Sequence, residues 1–279
     1  MRTVLIGLAI FLAACGASTN NKKNRNTDSN PASPSVDSIN FPLDGRQVVP
    51  KTVQTTGRGN AEFTFDDQTL SLSGTVTLTG ITATKVHVHE GFAGQTGSLV
   101  TALLPHPTVQ NSWTVEPDFQ LTTAQAEQLL AGGLYVNVHS DAFPDGELRG
   151  QILPDGLVAT KVELTPDQVV VSPNDPPVSS NASAVAGLTL FIDTGQLVGT
   201  VSISGLSPTK VHLHEGAAGT TGAMVVAFEM ARNDLTTWRI PDDSALSLDQ
   251  IQLFLNGDMY LNIHSVSYPS GELRGQVEP

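Results

Sequence analysis

Six of the seven histidines in this 279-residue chain fall into two sets of identical spacing. His87, His89 and His139 form the first set; His212, His214 and His264 stand 125 residues further on. Histidines at i and i+2 of a β-strand leave the same side of the sheet. A third histidine on a neighbouring strand would complete a donor set of three imidazoles. Three neutral imidazoles suit Zn(II) or Cu(II) and leave a coordination position open for water or another ligand. The polar neighbours are duplicated as well. Asn137 and Glu147, with Asn262 and Glu272 in the second set, could orient a ring through its other N–H. Arg149 and Arg274 complete the arrangement, although a guanidinium close to an ion opposes cation binding. The same residues also fit a metal-free polar network. Histidines on a wet strand face can be mere cross-strand pairs, and Glu147–Arg149 can be a surface ion pair worth under about 1 kcal/mol.

The elements that must position these residues are duplicated with them. Residues 85–91, 135–140 and 146–151 return at 210–216, 260–265 and 271–276, always at an offset of 125. A fixed offset across three segments means one domain present twice. His106 has no counterpart, because Ala231 stands there. Period-two alternation dominates both copies. Phe63 and Phe65 alternate with Glu62 and Thr64; Leu70, Leu72, Val76 and Leu78 alternate with polar residues; Leu188, Leu190, Leu197, Val201 and Ile203 repeat the pattern. Such alternation predicts strands with one buried and one wet face. Gln47-Val48-Val49 and Gln168-Val169-Val170 are read as the N-terminal strands. One short helix per copy interrupts the strands. Thr122 with Gln125, and Ser247 with Gln250, fit capping boxes, and Gly132 and Gly257 fit helix-ending glycines. Trp113 and Trp238 are expected to anchor the cores. The fold class expected is mainly β: two tandem antiparallel β-sandwiches, Greek-key/Ig-like or superoxide-dismutase-like, over residues 41–155 and 156–279.

Residues 1–15 resemble a bacterial lipoprotein signal peptide. Arg2 supplies the positive end, residues 4–14 an apolar stretch too short to span a bilayer, and Leu12-Ala13-Ala14-Cys15 a lipobox. The resemblance implies lipidation of Cys15, the only cysteine, which also excludes an intramolecular disulfide. Gly16 follows it, and by the same resemblance the absence of aspartate there favours the outer membrane or cell surface. Residues 16–40 are rich in Ser, Asn and Pro and read as a disordered tether. The location expected is the cell envelope, with the domains outside the cytoplasm and the membrane reached through the N-terminal lipid. Past residue 40 the chain holds 10 basic and 25 acidic residues, a net charge of about −15. That argues against nucleic acid as a partner, since phosphate binding needs clustered Lys and Arg.

The combined motifs resemble the CHRD domain, named for chordin. They are Leu43 and Gln47-Val48-Val49-Pro50; His87-x-His89-Glu90-Gly91 followed by Gly94 and Gly97; Tyr135-x-Asn137-x-His139; Pro144; and Gly146-Glu147-Leu148-Arg149-Gly150. The second copy carries the set from Leu164 to Gln276. One departure is Val48 and Val169 where the family often has Glu. The resemblance implies a β-sandwich of roughly 110 residues, and by analogy with chordin an extracellular protein partner. The three-histidine pattern is similar to the carbonic anhydrase zinc site, and the His-Val-His-Glu string to copper/zinc superoxide dismutases. Nucleophile elbows, phosphate loops and dinucleotide fingerprints are absent from the sequence. Asp141 and Asp145 become Val266 and Ser270 in the second copy, which argues against a repeated calcium site there. The function expected is therefore a lipid-anchored binding protein, not an enzyme, holding Cu or Zn if it holds any cofactor. A metal-free adhesion module and a dismutase-like metalloenzyme are the alternatives.

Overall fold

The computed structural model describes residues 36–172, 176–232 and 234–279. The expected signal segment with Cys15, and the expected tether up to residue 35, lie outside the described residues. The first copy contains β1 (Val36–Leu43), β2 (Arg58–Asp66), β3 (Ser71–Thr79), β4 (Ala83–Glu90), β5 (Leu99–Ala102), β6 (Leu104–Pro105), β7 (Ser112–Thr114), α1 (Thr123–Leu130), β8 (Leu134–Ser140) and β9 (Leu148–Ile152). The second contains β10 (Leu157–Leu164), β11 (Ser183–Phe191), β12 (Leu197–Ser204), β13 (Pro208–Glu215), β14 (Met224–Ala227), β15 (Glu229–Met230), β16 (Thr237–Arg239), α2 (Leu248–Leu255), β17 (Met259–Ser265) and β18 (Leu273–Val277).

Each copy is a sandwich of a five-stranded and a four-stranded antiparallel sheet. The five-stranded sheets run β1-β2-β3-β7-β6 and β10-β11-β12-β16-β15; the four-stranded sheets run β5-β4-β8-β9 and β14-β13-β17-β18. A bridge from Asp44 to Arg149, and its counterpart from Thr165 to Arg274, ties the two sheets along one edge. The alternation in the sequence is what fills the space between sheets. Phe63, Phe65, Leu72, Val76 and Leu78 face Val86, Val88, Val136, Val138 and Leu148, and all are almost wholly buried. Each such side chain contributes roughly 1.5–3 kcal/mol when removed from water. Trp113 and Trp238 are partly buried and pack against their own copy's core. Leu70 departs from the strand reading: it has φ 57° and sits in the turn before β3.

The helices form where the caps predict. Thr122 Oγ1 accepts from Gln125 N while Gln125 Oε1 accepts from Thr122 N, and Ser247 and Gln250 repeat the exchange. Both helices end in a left-handed glycine, Gly132 (φ 74°) and Gly257 (φ 76°). Among the described residues no helix is long and apolar enough to cross a membrane.

Two readings of the N-terminal region are corrected. Residues 36–40, assigned to the tether, belong to β1, where buried Ile39 and Phe41 alternate with exposed Ser38 and Asn40. Gln47-Val48-Val49 and Gln168-Val169-Val170 are not strands. The first follows β1 in a turn, and Gln168 closes a 3-10 turn at Pro166–Gln168. Their glutamines serve the edge instead: Gln47 Oε1 accepts from Gln151 N at 3.2 Å and Gln168 Oε1 from Gln276 N at 3.1 Å.

Residues 34–279 form one compact unit, and direct bonds join the copies. Lys161 Nζ donates to Val48 O at 2.8 Å and Thr52 Oγ1 at 2.9 Å, and Gln95 Nε2 donates to Thr200 Oγ1 at 3.0 Å. The backbone at Ala93 and Gly94 lies directly on β11. A Cβ at Gly187 would fall 1.5 Å from Ala93 O, so this contact requires glycine.

Candidate metal centre

Strand register gathers the histidines. Across β4 and β8, Lys85 pairs with His139, His87 with Asn137 and His89 with Tyr135. Across β8 and β9, Asn137 pairs with Arg149 and Tyr135 with Gln151. Val86, Val88, Val136 and Val138 take the core face, so the histidines, Tyr135, Asn137, Arg149 and Gln151 share the other one. The second copy repeats the register through β13, β17 and β18.

On that face the rings of His87 and His139 lie 4.9 Å apart and those of His87 and His89 5.6 Å apart. His212 stands 4.9 Å from His264 and 5.6 Å from His214, the same triangle. In each copy one nitrogen per ring lies within 4.8 Å of the other two, so each trio could hold a metal ion. A tetrahedral zinc with bonds of 2.0–2.1 Å places its nitrogens roughly 3.3–3.4 Å apart, so the rings need to close by little more than 1 Å.

Backbone carbonyls set the tautomers. His89 Nδ1 bonds Gly97 O at 3.2 Å and His214 Nδ1 bonds Gly222 O at 3.1 Å. His139 Nδ1 bonds Pro144 O, and His264 Nδ1 bonds Pro269 O, both at 2.9 Å. A carbonyl only accepts, so Nδ1 carries the proton and Nε2 of the neutral ring carries a lone pair. Nε2 is thus the nitrogen these rings have left to offer a ligand. The Nε2 atoms of His89, His214 and His264 are buried without a hydrogen-bond partner among the described residues. His139 Nε2 differs, with Asn137 Nδ2 at 3.3 Å. Gly97 is essential to this geometry, since a Cβ there would meet Glu90 O at 2.0 Å; Gly222 meets Glu215 O at 2.1 Å.

Burial favours the neutral form of four of the rings. Burial pushes His87 below the usual histidine range, helped by His139, His89 and Lys85. His89 is lowered by burial against the opposing bond to Gly97. His212 is pushed down to about 4, by burial first and then by His264, His214 and Lys210. His264 is lowered by burial as well.

Other residues singled out in the sequence sit elsewhere. Glu147 is buried but does not reach a ring. Its carboxylate accepts from Thr55 Oγ1 at 2.5 Å and from Ser140 Oγ, and Glu272 accepts from Ser180 Oγ at 2.6 Å. A role for either glutamate in orienting a histidine is therefore withdrawn, because β9 and β18 begin only after them and alternation does not extend to their side chains. The Glu147–Arg149 surface pair does not form either. Arg149, 2 % exposed, lies over the Tyr135 ring at 3.6 Å and donates to Gln95 O at 2.6 Å and Phe92 O at 2.9 Å. Tyr135, on the strand between them, stacks on His89 with ring centres 5.3 Å apart. Arg274 and Tyr260 repeat this stack with Arg at 4.1 Å. Asn137 Nδ2 stands 3.3 Å from His139 Nε2 and also donates to Asp145 O at 3.3 Å, and Asn262 Nδ2 makes the equivalent bond to Ser270 O at 3.2 Å.

Residues not expected from the sequence complete the surroundings. Gln151 Nε2 faces the carbonyls of Gly91, Gly132 and Leu134 at 2.7–3.0 Å, and Gln276 Nε2 those of Gly216, Gly257 and Met259 at 2.7–2.9 Å. This fixes the loop that supplies the His89 carbonyl against the end of α1. The repetition of Gln at 151 and 276 was the one signal available for it.

Fold and site together define a tandem of β-sandwiches, each presenting three clustered imidazoles on the outer face of its smaller sheet. The chain belongs to the CHRD domain family, whose model matches residues 39–152 and 160–277. No curated protein and no solved structure matches it.

Proposed function

We propose that this chain is a lipid-anchored, extracytoplasmic binding protein in which each CHRD copy holds one transition-metal ion, copper or zinc. The ligands are His87, His89 and His139 in the first copy and His212, His214 and His264 in the second. One observation carries the reading. Backbone carbonyls take the Nδ1 protons of His89, His139, His214 and His264, and the Nε2 atoms of His89, His214 and His264 are left buried with no partner among the described residues. An unsatisfied buried polar atom costs about 1–3 kcal/mol, and a cation is the partner that several clustered lone pairs can share. Burial lowers the pKa of His87, His89, His212 and His264, which favours neutral donors at those four positions. The anchor rests on the lipobox around Cys15.

The test is elemental analysis of the untagged chain after exposure to Cu, Zn, Ni and Mn and desalting. Two equivalents of one metal are expected, falling to one in His89→Ala. No metal above background refutes the reading. The anchor is tested separately, by incorporation of a labelled fatty acid that Cys15→Ala abolishes.

A further inference from the structure

The sites described above supply only neutral donors, and this leaves a charge to be balanced. Each trio contains histidines alone, with no carboxylate among the groups able to share an ion. Glu147 and Glu272 are bonded to hydroxyls away from the rings. A divalent ion on three imidazoles would keep its whole double charge, in a partly buried place where charge is expensive. With three protein ligands, a four-coordinate ion also has one position left for an outside ligand.

The rim already holds a cation suited to the partner of such an ion. Lys85 is directly opposite His139 in the β4–β8 register, and Lys210 directly opposite His264 in the β13–β17 register. Residues directly opposite in an antiparallel pair share a face, so both ammonium groups rise beside the histidines. Both lysines are exposed, and neither takes part in an ion pair among the described residues. Each acts on the trio through its charge: Lys85 on His87, Lys210 on His212 and His264. Arg149 and Arg274 are not alternatives, because their guanidinium groups are buried and bonded to loop carbonyls. A chain with formal net charge −13 thus keeps one acid-free lysine at the same rim position in both copies.

We propose that the outside ligand of each site is a small monoanion, a carboxylate or other oxygen- or nitrogen-donor anion, drawn to the metal by Lys85 in the first copy and Lys210 in the second. This rests on the metal reading above. The lysine acts by position and charge and does not itself bind the ion. The copies should differ in strength. The loop that carries Pro144 O beside the first site bears exposed Asp141 and Asp145, and its counterpart bears Val266 and Ser270. Two nearby carboxylates oppose an incoming anion, so the second copy is the tighter anion site.

The experiment uses the full chain loaded with Cu(II), its metal content first fixed by elemental analysis, and titrated with azide at low salt while the charge-transfer band is followed. Saturable azide binding at both sites is expected, tighter at the site that survives in His89→Ala than at the one that survives in His214→Ala. Lys85→Met with Lys210→Met should weaken azide roughly two- to fivefold, the effect of one exposed, solvent-screened charge, with metal content unchanged. Lys→Arg at both positions should restore it, and added KCl should erase the difference between wild type and Lys→Met. Neutral imidazole, used as a control ligand, should bind wild type and Lys→Met alike. Two equivalents of copper with no azide band, or with equal azide affinity in wild type and Lys→Met, overturns the anion proposal and leaves the metal reading standing. No bound copper overturns both.

Discussion

Arg149 and Arg274 occupy the same motif position in the two copies, yet the structure gives them different worth. Replacing each by Met removes the guanidinium and keeps most of the apolar volume. In the first copy this deletes two short bonds to loop carbonyls, 2.6 and 2.9 Å, and a cation resting 3.6 Å over Tyr135. Charge-assisted bonds contribute about 1.5–3 kcal/mol each and a desolvated cation–π contact about 2 kcal/mol. Against this stands the cost of burying the charge, which pushes the Arg149 pKa down to about 10, equivalent to about 3 kcal/mol. Arg149→Met should therefore cost about 2–4 kcal/mol. In the second copy the carbonyl contacts stretch to 3.3 and 3.4 Å, the cation stands 4.1 Å from Tyr260, and Arg274 Nε is buried without a partner. Arg274→Met should cost about 1–2 kcal/mol. For a unit of this size each kcal/mol lowers the midpoint by roughly 4 °C, giving about 8–16 °C against about 4–8 °C. The chain has two tryptophans, one packed in each copy, so Trp238→Phe and Trp113→Phe backgrounds report the copies separately by fluorescence. An Arg274→Met loss equal to or larger than that of Arg149→Met would refute this reasoning.

Three further outcomes are expected. Copper or zinc at a hundred times its dissociation constant should stabilise each copy by about 2.7 kcal/mol, and His89→Gln should remove that gain from the Trp113-reported transition alone. The metal-free protein should lose stability as pH falls from about 6.5 towards about 4, because the unfolded histidines take up protons while rings such as His212, held to about 4, stay neutral; a urea midpoint that is flat or rises through this window contradicts the depressed pKa values. Gly187→Ala should drive Ala93 O off β11, cost about 1–3 kcal/mol, and reduce the Arg149→Met penalty towards that of Arg274→Met, as a double-mutant cycle would read.

What could be read from the sequence followed the strand period. His87 and His89 had to share a face because a single residue separates them on a strand, and Val86 and Val88 had to be core. The capping residues Thr122, Gln125, Ser247 and Gln250 carry a signal spanning only three residues, and it survived. Errors arose where that local rule stopped applying. Glu147 is two residues from Arg149, but the strand begins between them at Leu148. β1 was hidden because its wet face, Ser38 and Asn40, has the composition of a linker. The carbonyls that Arg149 bonds lie more than fifty residues away in the 91–97 loop, a pairing set by tertiary closure and invisible to periodicity.

The comparison between copies also separates what the fold needs from what the histidines need. Gly94 is pressed against β11, whereas a Cβ placed on its counterpart Gly219 would meet nothing within 4 Å. The loop that cradles His89 is thus braced by the other domain at Gly94, and the loop that cradles His214 has no such contact at Gly219. Despite this, the ring spacings agree between copies, and so does the bond from Nδ1 to a loop carbonyl. A polar network kept only to support the contact between Gly94 and β11 would have no reason to persist at Gly219, where that contact is missing. What both copies share is the unpartnered Nε2 and the lysine beside it, and neither feature stabilises a sandwich. Buried lone pairs without partners cost stability, and so does neutralising histidine by burial. Two copies that have diverged at Asp145/Ser270 and Leu99/Met224 have both kept that cost, which is intelligible if an ion offsets it when bound.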